Sequence, residues 1–291
     1  MKWLITGGSG QLGLALQAEL GARGIDFVSV DSHEIDITDQ SKVNSLIHSL
    51  KPSVIVNAAG WTDVDGAELN KSGAYAVNAI GPQNLAIAAK EVGSKLVQVS
   101  TDYVFSGEAT TPWNEDADHN PQSVYGSTKS AGEKLVLGAH PTGSYLVRTA
   151  WLYSAERKNF AKTMTKLALN GDGEVRVVID QVGQPTFTGD LAKQIVDLVL
   201  SSAPVGIYHG TNSGQATWFE FAQEIFKLSG ADVNRVIPVS SSEYPRPANR
   251  PSYSVLGHDA WAKTTVEPMR DWRIALAEAM PAIIFAVKAE E

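Results

Sequence analysis

Through the first 150 residues, short apolar runs alternate with longer stretches whose apolar residues recur at three- and four-residue intervals. The short runs are Trp3 to Thr6, Phe27 to Val30, Val54 to Val56, Leu96 to Val99 and Tyr145 to Val147. None alternates cleanly between polar and apolar positions, which is the pattern of strands covered on both faces. The longer stretches, Gln11 to Arg23, Ser41 to Leu50, Ser72 to Val92 and Ser123 to Leu137, read as amphipathic helices, with Gly93 suited to a helix stop. Strand and helix in alternation, joined by right-handed crossovers, give an α/β fold built on a doubly wound parallel sheet.

Beyond residue 150 the rhythm changes. Apolar helices near Phe160 to Leu169, Leu191 to Leu200 and Phe219 to Leu228 are separated by loops rich in Gly, Pro and Ser. The expected organisation is a first domain over 1–150 and a smaller C-terminal lobe over 151–291. The lobe interleaves in part with the first domain, because Val205 to His209 looks like a further strand able to extend the sheet. The run Tyr244 to Pro251, with three prolines in eight residues, reads as a stiff surface loop.

Composition narrows the chemistry. With 291 residues and 43% hydrophobic content, the chain can bury a large core, which argues against disorder. A net charge of -8 argues against nucleic acid as a partner, since phosphate-backbone binders need clustered Lys and Arg. The absence of cysteine removes disulfides, thiolate catalysis and cysteine-ligated metal. The six histidines are scattered without ligand spacing, so no metal is expected. The sequence opens on the strand-like MKWLIT, shows no leader pattern, and has no run of the roughly 18 apolar residues that a membrane span requires. The expectation is a cytoplasmic protein without membrane association.

Directly after the first strand and before the first helix lies ITGGSGQLG, with Gly7, Gly8, Gly10 and Gly13. Residues without a Cβ let the backbone approach a pyrophosphate, while the N–H groups of Ser9, Gln11 and Leu12 at the helix N-terminus offer donors and a positive dipole end. In that context the glycines indicate a Rossmann dinucleotide site. Asp31 ends the second strand, where a carboxylate can accept from ribose hydroxyls, which favours NADH. Ser32 and His33 leave NADPH open. Asp36 and Ile37 fall where an adenine edge rests, and Ala58, Ala59 and Gly60 supply small residues beside the loop.

Tyr125 and Lys129 stand four apart in VYGSTKSAGEKL, on one face of a helix. An ammonium beside a phenol favours the phenolate and is expected to lower its pKa from about 10. At the end of the fourth strand, Ser100 and Thr101 each offer a hydroxyl to a substrate oxygen; alternation turns them to opposite sides, and spacing does not choose between them. Asp102 is placed to contact a substrate hydroxyl or to form a turn.

The segments TGGSGQLG, VNAAGWTDVDGAE, SKLVQVSTDYVFSG, VYGSTKSAGEK, VRTAWLY, DQVGQPT and RPANRPSYSVL, in this order over nearly the whole chain, resemble the dTDP-4-dehydrorhamnose reductases. That group lies within the extended short-chain dehydrogenase/reductase superfamily. The resemblance implies reduction of the C4 ketone of dTDP-4-dehydro-L-rhamnose by NADPH or NADH for cell-surface polysaccharide. It implies Tyr125 as proton donor, Lys129 as its electrostatic partner and ribose ligand, and Thr101 rather than Ser100 as the polarising hydroxyl. It further implies Trp151 against the sugar, Thr62 near cofactor and substrate, and Arg250 near the nucleotide diphosphate, although Trp151 suits core packing and Arg250 a structural ion pair equally. Some relatives bridge a dimer through magnesium with a Glu just after the third glycine; Leu14 and Ala15 stand here, so a metal-bridged dimer is in doubt while a homodimer stays open. Two rivals remain: a nucleotide-sugar epimerase or dehydratase that recycles its cofactor, and a non-catalytic dinucleotide-binding subunit like the regulatory β subunit of methionine adenosyltransferase.

Overall fold

The computed structural model describes residues 2–201 and 203–290. Its central sheet is built from β1 (Trp3–Thr6), β2 (Phe27–Val30), β3 (Val54–Asn57), β4 (Lys95–Thr101), β5 (Ser144–Thr149) and β6 (Gly206–His209). The strands run parallel in the order β6-β5-β4-β3-β1-β2. The chain steps outward from β1 to β2, then returns past β1 to β3, so connections diverge on either side of the β1–β3 pair. Ligands bind outside the carboxyl ends of such strands, at this switch point. The segment after β2 adds no further strand and instead turns Ile35 and Ile37 into the core.

Both faces of the sheet are covered, which is why the strands lack alternation. Trp3, Ile5, Val54, Val56, Val97, Tyr145 and Val147 pack beneath α1 (Gln11–Ala22) and a later helix, Thr188–Leu200. The residues between them, Leu4, Ile55, Leu96 and Leu146, pack against α2 (Gln40–Leu50), α3 (Gly81–Val92) and α4 (Val124–Ala139). The expected helix from Ser72 to Val92 contains a π turn over Ala76–Ile80. That turn presents the Asn78 amide, which accepts from Trp61 N–H at 2.8 Å and donates to the Thr128 hydroxyl at 3.1 Å. The irregular turn thereby fastens α4 to the loop after β3, a setting in which π turns recur.

A second core gathers Tyr153, Met164, Phe221, Phe226, Trp272, Leu276 and Ile283. Tyr153 lies in the short strand Leu152–Tyr153, and the others come from α5 (Phe160–Leu169), α7 (Trp218–Leu228) and α8 (Trp272–Ala289), with the helix Thr188–Leu200 numbered α6. A parallel pair, Val175–Val178 with Val236–Val239, completes it. Neither α8 nor this pair was anticipated from the sequence; Pro281 inside α8 is the kind of residue that ends helices. After α5 the chain returns to the sheet through α6 and β6, and Trp261 and Met269 also pack into the first core. Tyr244 to Pro251 forms neither helix nor strand, and apart from buried Ala248 it lies largely at the surface.

Candidate active site

Beside the switch point a cavity of about 590 Å³ runs along the carboxyl ends of β1, β3, β4 and β5. One wall is the glycine loop. Gly7 takes φ 74, and a Cβ there would lie 2.5 Å from the Ala59 nitrogen. A Cβ on Gly13 would meet the Gly7 oxygen at 2.3 Å, so Gly13 does not line the cavity but lets α1 close onto the loop. Gly10 caps α1 without a side-chain hydrogen bond, and Gly10, Gln11 and Leu12 face the cavity. Uncapped first-turn N–H groups against a cradle that side chains would fill suit the phosphates of a dinucleotide.

At one end the lining comprises Asp31, Ser32, Ile35, Asp36 and Ile37. Asp31 accepts from His33 N–H at 2.9 Å. Asp36 accepts from the N–H and the hydroxyl of Thr38, and these bonds hold its carboxyl below the ordinary range. Ala58, Ala59, Gly60, Thr62 and Val77 continue the wall.

The other end holds Ser100, Tyr125, Lys129 and Thr149. Ser123 caps α4 by accepting from Gly126 N–H at 3.1 Å, which sets Tyr125 in the first turn. Gly126 lets α4 settle onto the turn after β4, since a Cβ there would strike the Tyr103 oxygen at 2.2 Å. Tyr103 meets the Tyr125 ring edge-on at 5.4 Å. The Lys129 ammonium donates to the Val99 carbonyl at 2.7 Å. The Thr101 hydroxyl donates to Asp102 at 2.8 Å and accepts from Tyr103 N–H at 3.2 Å; Thr101 is buried and, unlike Ser100, does not line the cavity.

The expected depression of the Tyr125 pKa by Lys129 is not what the chain's own groups produce. Burial pushes the phenol up to about 12; the Thr101 hydroxyl opposes this and the Asp102 charge adds to it. Lys129 is itself pulled down to about 8, by burial against the attraction of Glu133. Sequence spacing gave the shared helix face, but desolvation outweighs a pairing that directs the ammonium to a backbone carbonyl.

Of the two roles open to Asp102, a substrate contact and a turn, the structure shows the turn: it begins the short helical turn Asp102–Val104, lies behind Thr101 at 2% exposure and lines no part of this cavity. Burial pushes its carboxyl up to about 6. Trp151, at φ 44, also stands outside the lining; its ring stacks on Trp218 at 3.6 Å and packs with the second core. Arg250 pairs with Asp65 at 2.9 Å, yet it lines a second cavity of about 400 Å³ with Tyr103, Phe160, Trp218, Arg176 and Arg246. Tyr103 and Tyr125 touch, so the two cavities meet across that aromatic contact. No cluster of His, Asp and Glu suited to a metal occurs among the described residues.

The model of the RmlD substrate binding domain family matches residues 1–284. The chain is also 47% identical over 286 residues to the dTDP-4-dehydrorhamnose reductase of Streptomyces griseus, covering 97% of this chain and 94% of that protein. The chain belongs to the dTDP-4-dehydrorhamnose reductase family. A solved family structure from Clostridium acetobutylicum superposes with TM-score 0.92 at 45% identity, covering 97% of this chain and 99% of that one. Another, from Bacillus anthracis in complex with NADP, also has TM-score 0.92, at 39% identity, covering 96% and 98%. The doubly wound sheet expected from the sequence is the fold of this family.

Sequence reasoning missed Thr149 and most of the second cavity. Thr149 ends β5 level with Thr101 on β4. The hydroxyls of Thr149 and Ser100 are buried without a hydrogen-bond partner and both residues line the first cavity. The strand-edge rule applied to β4 would have found Thr149 on β5. No local signal marks the second cavity, whose residues come from segments far apart in the chain.

Proposed function

We propose that the chain reduces the C4 ketone of dTDP-4-dehydro-L-rhamnose to dTDP-L-rhamnose at the expense of NADH or NADPH. The observation that carries this reading is the placement of Tyr125 and Lys129 together at the end of a cavity that begins in an uncapped glycine loop. Gly7, Gly10, Gln11, Leu12, Ala58, Ala59, Gly60 and Thr62 would hold the dinucleotide, with Asp31, Asp36 and Ile37 at its adenosine end and Lys129 at the nicotinamide ribose. When bound, the reduced nicotinamide supplies the hydride. Tyr125, kept neutral by burial, gives its proton to the ketone oxygen while Thr101 orients that oxygen. A forming alkoxide is more basic than a phenolate, so the transfer runs downhill even from a phenol of raised pKa.

The second cavity supports a nucleotide diphosphate. Arg176, Arg246 and Arg250 offer guanidinium groups, and Tyr103, Phe160 and Trp218 offer faces for a base. Cofactor therefore belongs to the sheet and nucleotide sugar mainly to the lobe beyond residue 150. At the adenosine end, the carboxylates of Asp31 and Asp36 line the cavity, and Lys129, at the opposite end, is the only Lys or Arg among the described lining residues. A 2'-phosphate would meet like charge there, so kcat/KM is expected to be about tenfold higher with NADH than with NADPH, equivalent to ~1.4 kcal/mol.

One assay tests substrate and cofactor together: oxidation of each nucleotide by enzymatically made dTDP-4-dehydro-L-rhamnose and its UDP analogue. Net consumption with the dTDP sugar supports the reading. Retained NAD with sugar turnover and no net oxidation would move the chain to the epimerases and dehydratases, and higher efficiency with NADPH would overturn the electrostatic argument alone.

A further inference from the structure

The glycine loop is held from outside its own domain. Gln11, in the cavity wall, accepts from the Ser154 hydroxyl and from the Asn159 amide, each at 3.0 Å. Between those two residues Arg157 adopts φ 59, a left-handed conformation that a long L-side chain seldom takes, and its Nε donates to the Ser9 carbonyl at 2.7 Å. Residues 154–159 thus form a clasp laid over the loop. Asn159 also caps α5 by accepting from Lys162 N–H, so the clasp is anchored in the second core.

Charge gives the clasp a purpose beyond anchoring. A dinucleotide pyrophosphate brings two negative charges to the start of α1. Among the described residues of that cavity, Lys129 is the only Lys or Arg, and its ammonium is committed to the Val99 carbonyl at the far end. Arg157 is exposed, makes no ion pair, and uses only Nε in its bond to Ser9; its two terminal nitrogens take no partner among the described residues. The Nε bond fixes the guanidinium plane against the loop while leaving its forked donors available, the geometry that suits phosphate oxygens.

We infer that Arg157 is a pyrophosphate ligand of the dinucleotide, delivered by the 154–159 clasp. This rests on the dinucleotide-binding part of the proposed function. It assigns cofactor affinity to a residue outside the glycine motif and ties that affinity to the segment leading into α5, whose Phe160 and Met164 line the second cavity.

The test is equilibrium NADH binding, read by fluorescence, for the unsubstituted chain, Arg157→Ala and Arg157→Lys at low and high salt. Arg157→Ala is expected to raise Kd about tenfold and to flatten its salt dependence, because one charge contact is gone. Arg157→Lys, which keeps the charge and loses the fork, should recover most of that affinity, to within about threefold of the unsubstituted chain. An Arg157→Ala protein whose Kd and salt dependence match those of the unsubstituted chain overturns the inference. So does a lysine variant as weak as the alanine one with salt dependence intact, which would make Arg157 a clasp anchor only. If the unsubstituted chain itself binds no NADH, the oxidoreductase reading falls and takes this inference with it.

Discussion

Tyr125→Phe is expected to lower kcat about 10²- to 10⁴-fold while leaving NADH affinity within about twofold. The substitution removes one oxygen and keeps the ring that packs edge-on against Tyr103, so α4 has no reason to move. The glycine cradle and the uncapped start of α1 lie at the other end of the cavity and are untouched. The proposed reaction loses its proton donor, and the Thr101 hydroxyl is engaged with Asp102. Steady-state kinetics beside fluorescence-detected NADH binding separate the two effects. A phenylalanine variant retaining more than a tenth of the activity would remove Tyr125 from the chemistry. A non-catalytic dinucleotide-binding subunit would show no turnover to lose in either form.

The glycine loop was legible because three local signals follow one another within the first 22 residues: an apolar run, closely spaced glycines, and a helical stretch. The Tyr125 and Lys129 pair was legible as geometry, since helical spacing alone places both on one face. Its electrostatics were not. Whether an ammonium lowers a phenol's pKa depends on where the ammonium points and how much water reaches the phenol, and here Val99 takes the one while burial governs the other. For a related reason the sequence left Asp102 between a substrate contact and a turn. Strand alternation tells which way a side chain leaves β4, but the turn that follows decides whether it reaches a cavity or folds back behind Thr101. The second cavity is assembled from residues between Asp65 and Arg250, so no window of sequence contains it.

Asp102→Asn is expected to make the protein more stable above pH 6 and less active. Burial, as the largest cause, pushes the folded carboxyl up to about 6 from its ordinary 3.8. Below pH 4 the group is largely neutral in both states and costs nothing. Between pH 4 and 6 the unfolded chain releases the proton while the folded chain keeps it, so stability falls as pH rises through that window. Above pH 6 the folded chain holds a buried charge, at a constant cost of about 3 kcal/mol, from roughly two pKa units at about 1.4 kcal/mol each. An asparagine keeps an acceptor for the Thr101 hydroxyl and removes the charge, so urea unfolding at pH 8 should show a gain of about 2–3 kcal/mol that disappears near pH 4. The same charge helps hold the Tyr125 phenol protonated, and its loss should shift the alkaline limb of the rate profile downward. A buried carboxylate that weakens the fold while tuning the acid beside it is the trade expected at a reacting centre. An asparagine variant destabilised equally at both pH values would show instead that Asp102 is there for packing.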